Sequence, residues 1–365
     1  MEFLVDIANT VLTQFQKPTL AFLIGGMVLA ACNSKLEVPE PVYKFIVLVL
    51  LLKVGLGAGI SVREADFMSL LIPALGAAFI GVAIVLIGMF TLARLPGVSK
   101  MDGVATAGVF GAVSASTLAA GMAVLDGDGI AYEGFIGALY PFMDIAALVT
   151  AIVLARLGAA RKAAASGHNS ASGTMTMSMG GGGGGGPSFN LREGINGIDT
   201  GMLKGILVDT CRSPAISALL LGLALGTLAK PDSVYSSFYE PLFHGLLSIL
   251  MLIMGAEAWA RISDMRKVAH AYLLYGIAGP LVHGLLGFSV GLIAHHLTGF
   301  SAGGVVLLSI MAASSSDISG PPTIRAALPE ANPSAYIGAS TGIGTPVAIL
   351  SIPLFMALAD FLIGF

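Results

Sequence analysis

Apolar residues run along this chain in blocks, many near the ~20 positions that cross a bilayer, and charge, proline and glycine separate them. Ten blocks are legible. They start near Pro18, Pro41, Phe67, Gly103 and Glu133, and again near Pro214, Pro241, Ala269, Phe300 and Pro333; the first and sixth are short. Each predicts a membrane-spanning helix. Between the two groups of five lies the only long polar stretch, Gly158 to Cys211, with the segment "SGHNSASGTMTMSM" and a glycine run from Gly180 to Gly186. That composition cannot bury a core and predicts a flexible linker. The expected organisation is a first five-helix repeat over 1–157, a cytoplasmic linker over 158–212, and a second repeat over 213–365.

The two groups match at a steady offset. "PTLAFLIGGMVLA" from Pro18 faces "PAISALLLGLALG" from Pro214, and "PVYKFIVLVLLLKVG" from Pro41 faces "PLFHGLLSILMLIMG" from Pro241. Gly55 falls against Gly255, Gly97 against Gly299, Ser114 against Ser316, and "FIGA" ending at Ala138 against "YIGA" ending at Ala339. An odd number of spans per repeat makes the second copy enter the membrane from the opposite side. Inverted repeats of this kind recur in secondary transporters. The expected fold is an all-α polytopic membrane protein of about ten transmembrane helices, in two inverted five-helix repeats with two broken crossing helices.

Composition sharpens the membrane reading. Hydrophobic residues are 56% and charged residues 11% of the 365 positions, where a soluble domain carries about a quarter charged residues. The net charge of −3 and the lack of a basic tract exclude a nucleic-acid role. Cys32 and Cys211 lie far apart without a partner motif and read as free thiols. The N-terminus carries Glu2 and Asp6 and lacks a basic leader region, so the first span is expected to stay in place.

Charge also orients the chain. With the linker cytoplasmic and both termini outside, cytoplasmic segments hold Lys35, Arg94, Lys100, Arg156, Arg161, Lys162, Arg192, Lys204, Arg212, Arg261, Arg266, Lys267 and Arg325. Outside segments hold only Lys17, Arg63 and Lys230, and the acidic "DGDG" from Asp126. This follows the positive-inside rule.

Candidate chemistry concentrates in the fourth and ninth spans, "GVFGAVSASTLAAG" and "SIMAASSSDISGPPT". Gly320, Pro321 and Pro322 are expected to break the ninth helix, since proline removes an N–H and pushes its predecessor out of helical geometry. Unpaired backbone at membrane depth is tolerated only inside protein or beside a watery cavity. Half-helix N-termini suit an anion; C-terminal ends, hydroxyls and a carboxylate suit a small cation. Asp317 is the natural carboxylate, because an ionisable group so deep is costly. The structural alternative is that Asp317 caps the second half-helix and Ser314 to Ser316 are small packing residues. For Ser114, Ser116 and Thr117 no proline marks a break, and their alignment with Ser316 carries the case. Asp144 either lines the site or is structural. Glu257 is expected to snorkel or pair with Arg261. Lys53 either pairs with an acid or reaches the interface. His283 reads as a hydrogen-bonded core histidine, and His295–His296 as an outer loop without metal-ligand spacing. An intramembrane protease dyad of Ser114 and His283 is disfavoured, because "GAVSA" is not a G-x-S-x-G elbow.

At these residues the chain resembles the cyanobacterial sodium-dependent bicarbonate transporter family. The resemblance rests on "PTLAFLIGGMV", "FGAVSAST", "ALYPFMDI", "GLLSILMLIMG", "AASSSDISGPPT" and "NPSAYIGASTGIGTP". It implies bicarbonate uptake driven by inward sodium for carbon concentration, in a plasma-membrane homotrimer whose gate and core domains work by an elevator-like movement. It also implies a trimeric PII-like signalling protein, binding adenine nucleotides and docking on the cytoplasmic face. The matched motifs make Ser114, Ser116, Thr117 and Ser314 to Ser319 the candidates for substrate and ion. Bicarbonate is expected at Ser114, Ser116, Thr117, Ser314, Ser315 and Ser316, and sodium at Asp317, Ser316, Ser319 and Asp144. No cofactor beyond the coupling sodium ion is expected. The glycine-rich linker, poor in charge, differs from the more charged linkers of that family. Another small anion, such as a carboxylate, is the alternative substrate, and a channel is a third reading.

Overall fold

The computed structural model of the chain describes residues 18–36, 38–63, 67–170, 204, 208, 211–212, 214–265 and 270–365. The linker between 171 and 203 and the N-terminal residues Glu2, Asp6 and Lys17 lie outside the described residues. Among the described residues the chain is helical with no strand.

In the first half, α1 (Pro18–Ala31), α2 (Glu40–Val62) and α3 (Phe67–Phe90) lead to α4 (Lys100–Gly111) and α5 (Ala115–Asp128). A 3₁₀ turn (Gly134–Leu139) then enters α6 (Tyr140–Ser170). In the second half, α7 (Pro214–Leu228), α8 (Glu240–Met265) and α9 (His270–Thr298) lead to α10 (Ala302–Ala313) and α11 (Gly320–Ala327). The chain ends in α12 (Pro333–Ile337), a π-helical stretch (Gly338–Gly344), α13 (Thr345–Leu350) and α14 (Ile352–Leu362). Seven of these stretches are long and apolar enough to cross a membrane, and three shorter apolar helices, α1, α7 and α10, accompany them. Helix starts fall within a few residues of those read from the sequence.

Two expected boundaries change. Helix α6 runs on to Ser170, past the expected end at 157, because "ARLGAARKAAA" is made of strong helix formers. His295 and His296 sit in the last turn of α9 rather than in a loop; His295 Nδ1 lies 2.6 Å from the Phe300 carbonyl.

The two halves pack through each other. Helix α1 lies along α8, and α7 lies along α2. At both crossings backbone meets backbone: a Cβ added at Gly255 would collide with the Leu23 carbonyl, and one at Gly26 with that of Leu252. Gly55 and Gly59 meet Gly222 and Gly226 in the same way. Small residues four apart let helices approach closely where lipid offers no hydrophobic drive.

The α4–α5 pair is buried along its whole apolar length. It forms the centre with α10, whose Val305, Leu308 and Met311 are fully buried. Lys53, undecided by the sequence, is buried in α2 with its Nζ 4.0 Å from the Phe243 ring centroid. Glu257 is exposed and lines a cavity of about 400 Å³ beside Gly26, Leu29 and Ser34; the Arg261 side chain lies outside the described residues.

Two carboxylates tie each half to the other. Asp102, in the first turn of α4, accepts the Asn332 N–H at 2.7 Å. Glu133, just before α6, accepts the Ser301 N–H at 2.6 Å and its hydroxyl at 2.9 Å, where Ser301 caps α10. Glu133→Ala is expected to cost ~1–3 kcal/mol, since it strands two donors, and Glu133→Gln less. Thermal unfolding of the two purified variants checks the order.

Candidate functional site

The fourth span stops where its sequence turns to small and hydroxyl residues. Helix α4 ends at Gly111, Ala112 is extended, and Ser114 opens α5 as an N-cap whose Oγ accepts the Thr117 N–H at 3.2 Å. The α10–α11 segment does the same. Helix α10 ends at Ala313, Ser314 is extended, and α11 begins at Gly320. The discontinuity is therefore Ser314 to Ser319. Gly320, Pro321 and Pro322 form the first turn of α11 rather than the break itself, a correction to the sequence reading. A first-turn proline is tolerated because its N–H would be unpaired anyway, and Ser319 before it is already in the α region. The first break needs no proline, because the Ser114 cap ends one helix and starts the next.

The two breaks are stitched together. The Ser114 N–H donates to Ser314 Oγ at 3.0 Å, and the Ser316 N–H to the Val109 carbonyl at 2.9 Å. Ser114 Oγ and Ser116 Oγ lie 2.8 Å apart, and Ser116 Oγ donates to Asp317 Oδ2 at 2.9 Å. Asp317 thus does not cap α11; that place is taken by Ser316 Oγ, which accepts the Gly320 N–H at 2.8 Å. A second carboxylate completes the network. Asp144, fully buried in α6, accepts the Val113 N–H at 3.0 Å and the Ser319 hydroxyl at 2.9 Å. Ser319 Oγ also lies 2.8 Å from Ser316 Oγ.

Ser315 stands apart from that chain. Its Oγ lies 3.1 Å from Thr345 Oγ1. The sequence reading missed Thr345, although the "FIGA" and "YIGA" register places it opposite Asp144. Thr117 is buried with its Oγ1 unpartnered among the described residues. Ser114, Ser116, Ser314, Ser315, Ser316 and Ser319 are all buried, whereas Asp317 is partly exposed.

The electrostatics are one-sided. Among the described residues, no basic side chain ion-pairs with Asp144 or Asp317; Glu40–Lys44 and Arg63–Asp232 pair elsewhere. Nor do three His, Cys, Asp or Glu side chains gather anywhere among them. The donors on offer are carboxylate, hydroxyl and backbone oxygens, which suit a hard cation. Beside them, the first turn of α5 presents amides and hydroxyls that suit a small anion.

His283 is a buried histidine whose Nε2 lies 3.2 Å from the Tyr275 hydroxyl. Ser114 finds its partners in Ser116, Ser314 and Thr117 instead.

A multi-pass helical membrane protein with two broken helices stitched across a buried carboxylate–hydroxyl network is built as a transporter. The sequence profile of the Na+-dependent bicarbonate transporter superfamily matches residues 18–360, and the chain belongs to that family. Membership of a transporter superfamily settles the enzyme reading in the negative. Comparison with curated proteins finds no match.

Proposed function

We propose that the chain is a sodium:bicarbonate symporter that imports bicarbonate for carbon concentration. The observation that carries this reading is the joined pair of breaks with two carboxylates and no basic partner. A carboxylate fully buried without a counter-charge, as Asp144 is, is expensive in low dielectric. A bound sodium ion at Asp317, with Ser316, Ser319 and Asp144 beside it, would relieve that cost. Bicarbonate then sits against Ser114, Ser116, Thr117, Ser314, Ser315 and Ser316, where half-helix amides face it. Each ion lowers the desolvation cost of the other, and this reciprocal linkage is the coupling. Sodium is the coupling ion, with no cofactor.

Ten spans in two inverted five-helix repeats, over 1–157 and 213–365 around the linker, are the architecture of this proposal. The matched order of elements and the reciprocal packing of α1 on α8 and α7 on α2 support it. The skew of Lys and Arg supports an orientation with termini outside and the linker cytoplasmic. The plasma-membrane location, a homotrimer and a PII-like partner on the cytoplasmic face rest on the family resemblance alone. The alternative substrate is a small carboxylate.

Competition separates the substrates: unlabelled bicarbonate should block labelled bicarbonate uptake by purified protein in liposomes, and small carboxylates should not. Block by a carboxylate at lower concentration than bicarbonate would reassign the substrate. Ser316→Ala removes the Gly320 cap and the Ser319 contact together. It is expected to raise the bicarbonate half-saturation constant about tenfold, or ~1.4 kcal/mol, measured by initial uptake rates.

A further inference from the structure

Phe110, one residue before the end of α4, occupies a point where three parts of the site meet. The carbonyl of its neighbour Val109 holds the Ser316 amide. Its ring faces Gly344, where an added Cβ would lie 2.5 Å from Phe110 Cε1 and 3.3 Å from Ser315 Oγ. Thr345, the next residue, is the partner of Ser315. A shift of this ring therefore moves the backbone that holds Ser316, and presses on the helix that holds Ser315.

The ring is locked from behind. Tyr275 meets it edge-on at 5.1 Å between centroids, and His283 at 5.9 Å. Both come from α9, and the Tyr275 hydroxyl to His283 Nε2 contact fixes them to each other. Phe110 and His283 are fully buried, Tyr275 nearly so. Packing alone does not call for a histidine here. Its Nδ1 is unpartnered among the described residues, a cost that leucine would avoid while filling the space.

We infer that Phe110 is a positioning residue for the ion site: wedged by Tyr275 and His283, it sets the spacing between the end of α4 and the Ser314–Ser319 segment. This rests on the site assignment proposed above. The wedge touches no ion and acts through Ser315 and Ser316. Loosening it should weaken sodium binding more than it slows the loaded cycle.

Two readouts test this on the full-length purified protein. In sodium-driven uptake, Tyr275→Phe and His283→Leu are each expected to raise the sodium half-saturation at least about fivefold, with the maximal rate changed less than about twofold. In sodium-free buffer, hydrogen exchange of the peptide spanning Ser316 should quicken in both variants by about tenfold or more. Gly344→Ala, whose Cβ would meet the Phe110 ring and Ser315 Oγ, should raise the sodium half-saturation in the same way. Wild-type exchange and wild-type sodium saturation in Tyr275→Phe and His283→Leu would overturn the wedge, as would wild-type sodium saturation in Gly344→Ala. If His283→Leu does not fold, Tyr275→Phe, which removes one oxygen, decides. Uptake without sodium dependence in the wild type would sink the symport assignment instead, while the exchange arm still reads the wedge.

Discussion

Asp317→Ala is expected to abolish sodium-driven uptake, by about 100-fold or more, which corresponds to ~2.8 kcal/mol, while leaving the protein folded. Its carboxylate is partly exposed and takes the Ser116 hydroxyl at 2.9 Å, with the Ser114 hydroxyl also directed to it. Ser116 has a second neighbour, Ser114 Oγ at 2.8 Å, so truncation strands no donor. The functional loss should therefore come without a matching drop in thermal midpoint. Asp144→Ala is expected to behave differently. It strands the Val113 N–H in a fully buried place, at ~1–3 kcal/mol, while the Ser319 hydroxyl keeps Ser316 Oγ at 2.8 Å. Uptake and unfolding measured together separate the two acids. An Asp317→Ala protein with unchanged sodium dependence would remove Asp317 from the cation site.

The largest expected effect on stability lies away from the site, at the α1–α8 crossing. Gly255→Ala places a Cβ against the Leu23 carbonyl. Backbone cannot yield as a flexible side chain does, so α1 must move off α8, and with it Leu20 and Leu23, both fully buried. A loss above ~4 kcal/mol, seen as little or no folded protein, is expected. Gly245 is the control on the same helix, since a Cβ there meets nothing within 4 Å. Gly245→Ala should be neutral or slightly stabilising, because alanine is the better helix former by ~1 kcal/mol. Yield and thermal midpoint of the two variants decide whether close backbone approach holds this crossing.

Much of this was legible in the sequence, for identifiable reasons. The spans were readable because lipid demands long apolar runs, and the proline and glycine punctuation set their starts within a few residues. Ser314 to Asp317 was readable because polar groups beside a double proline have few uses in a membrane. The prolines misled in one respect: they begin α11, and the chain is already open before them. The first break was harder to see, since a serine cap can end a helix with no proline near. Thr345 was missed because a lone threonine in an apolar helix carries no local signal; only the repeat register points to it. Phe110 was invisible for a different reason. Its importance comes from what surrounds it in space, and Gly344, Tyr275 and His283 are remote in sequence. His283 itself reads as a buried, hydrogen-bonded histidine, and its partner, Tyr275, comes only from the fold.

The central claim is that the joined breaks bind sodium and a small anion in mutual dependence. Labelled bicarbonate in proteoliposomes tests it most directly. An inward sodium gradient is expected to drive accumulation above the outside concentration, with collapse when the gradient is dissipated. Equal accumulation in choline medium, or mere equilibration under a full sodium gradient, would contradict it.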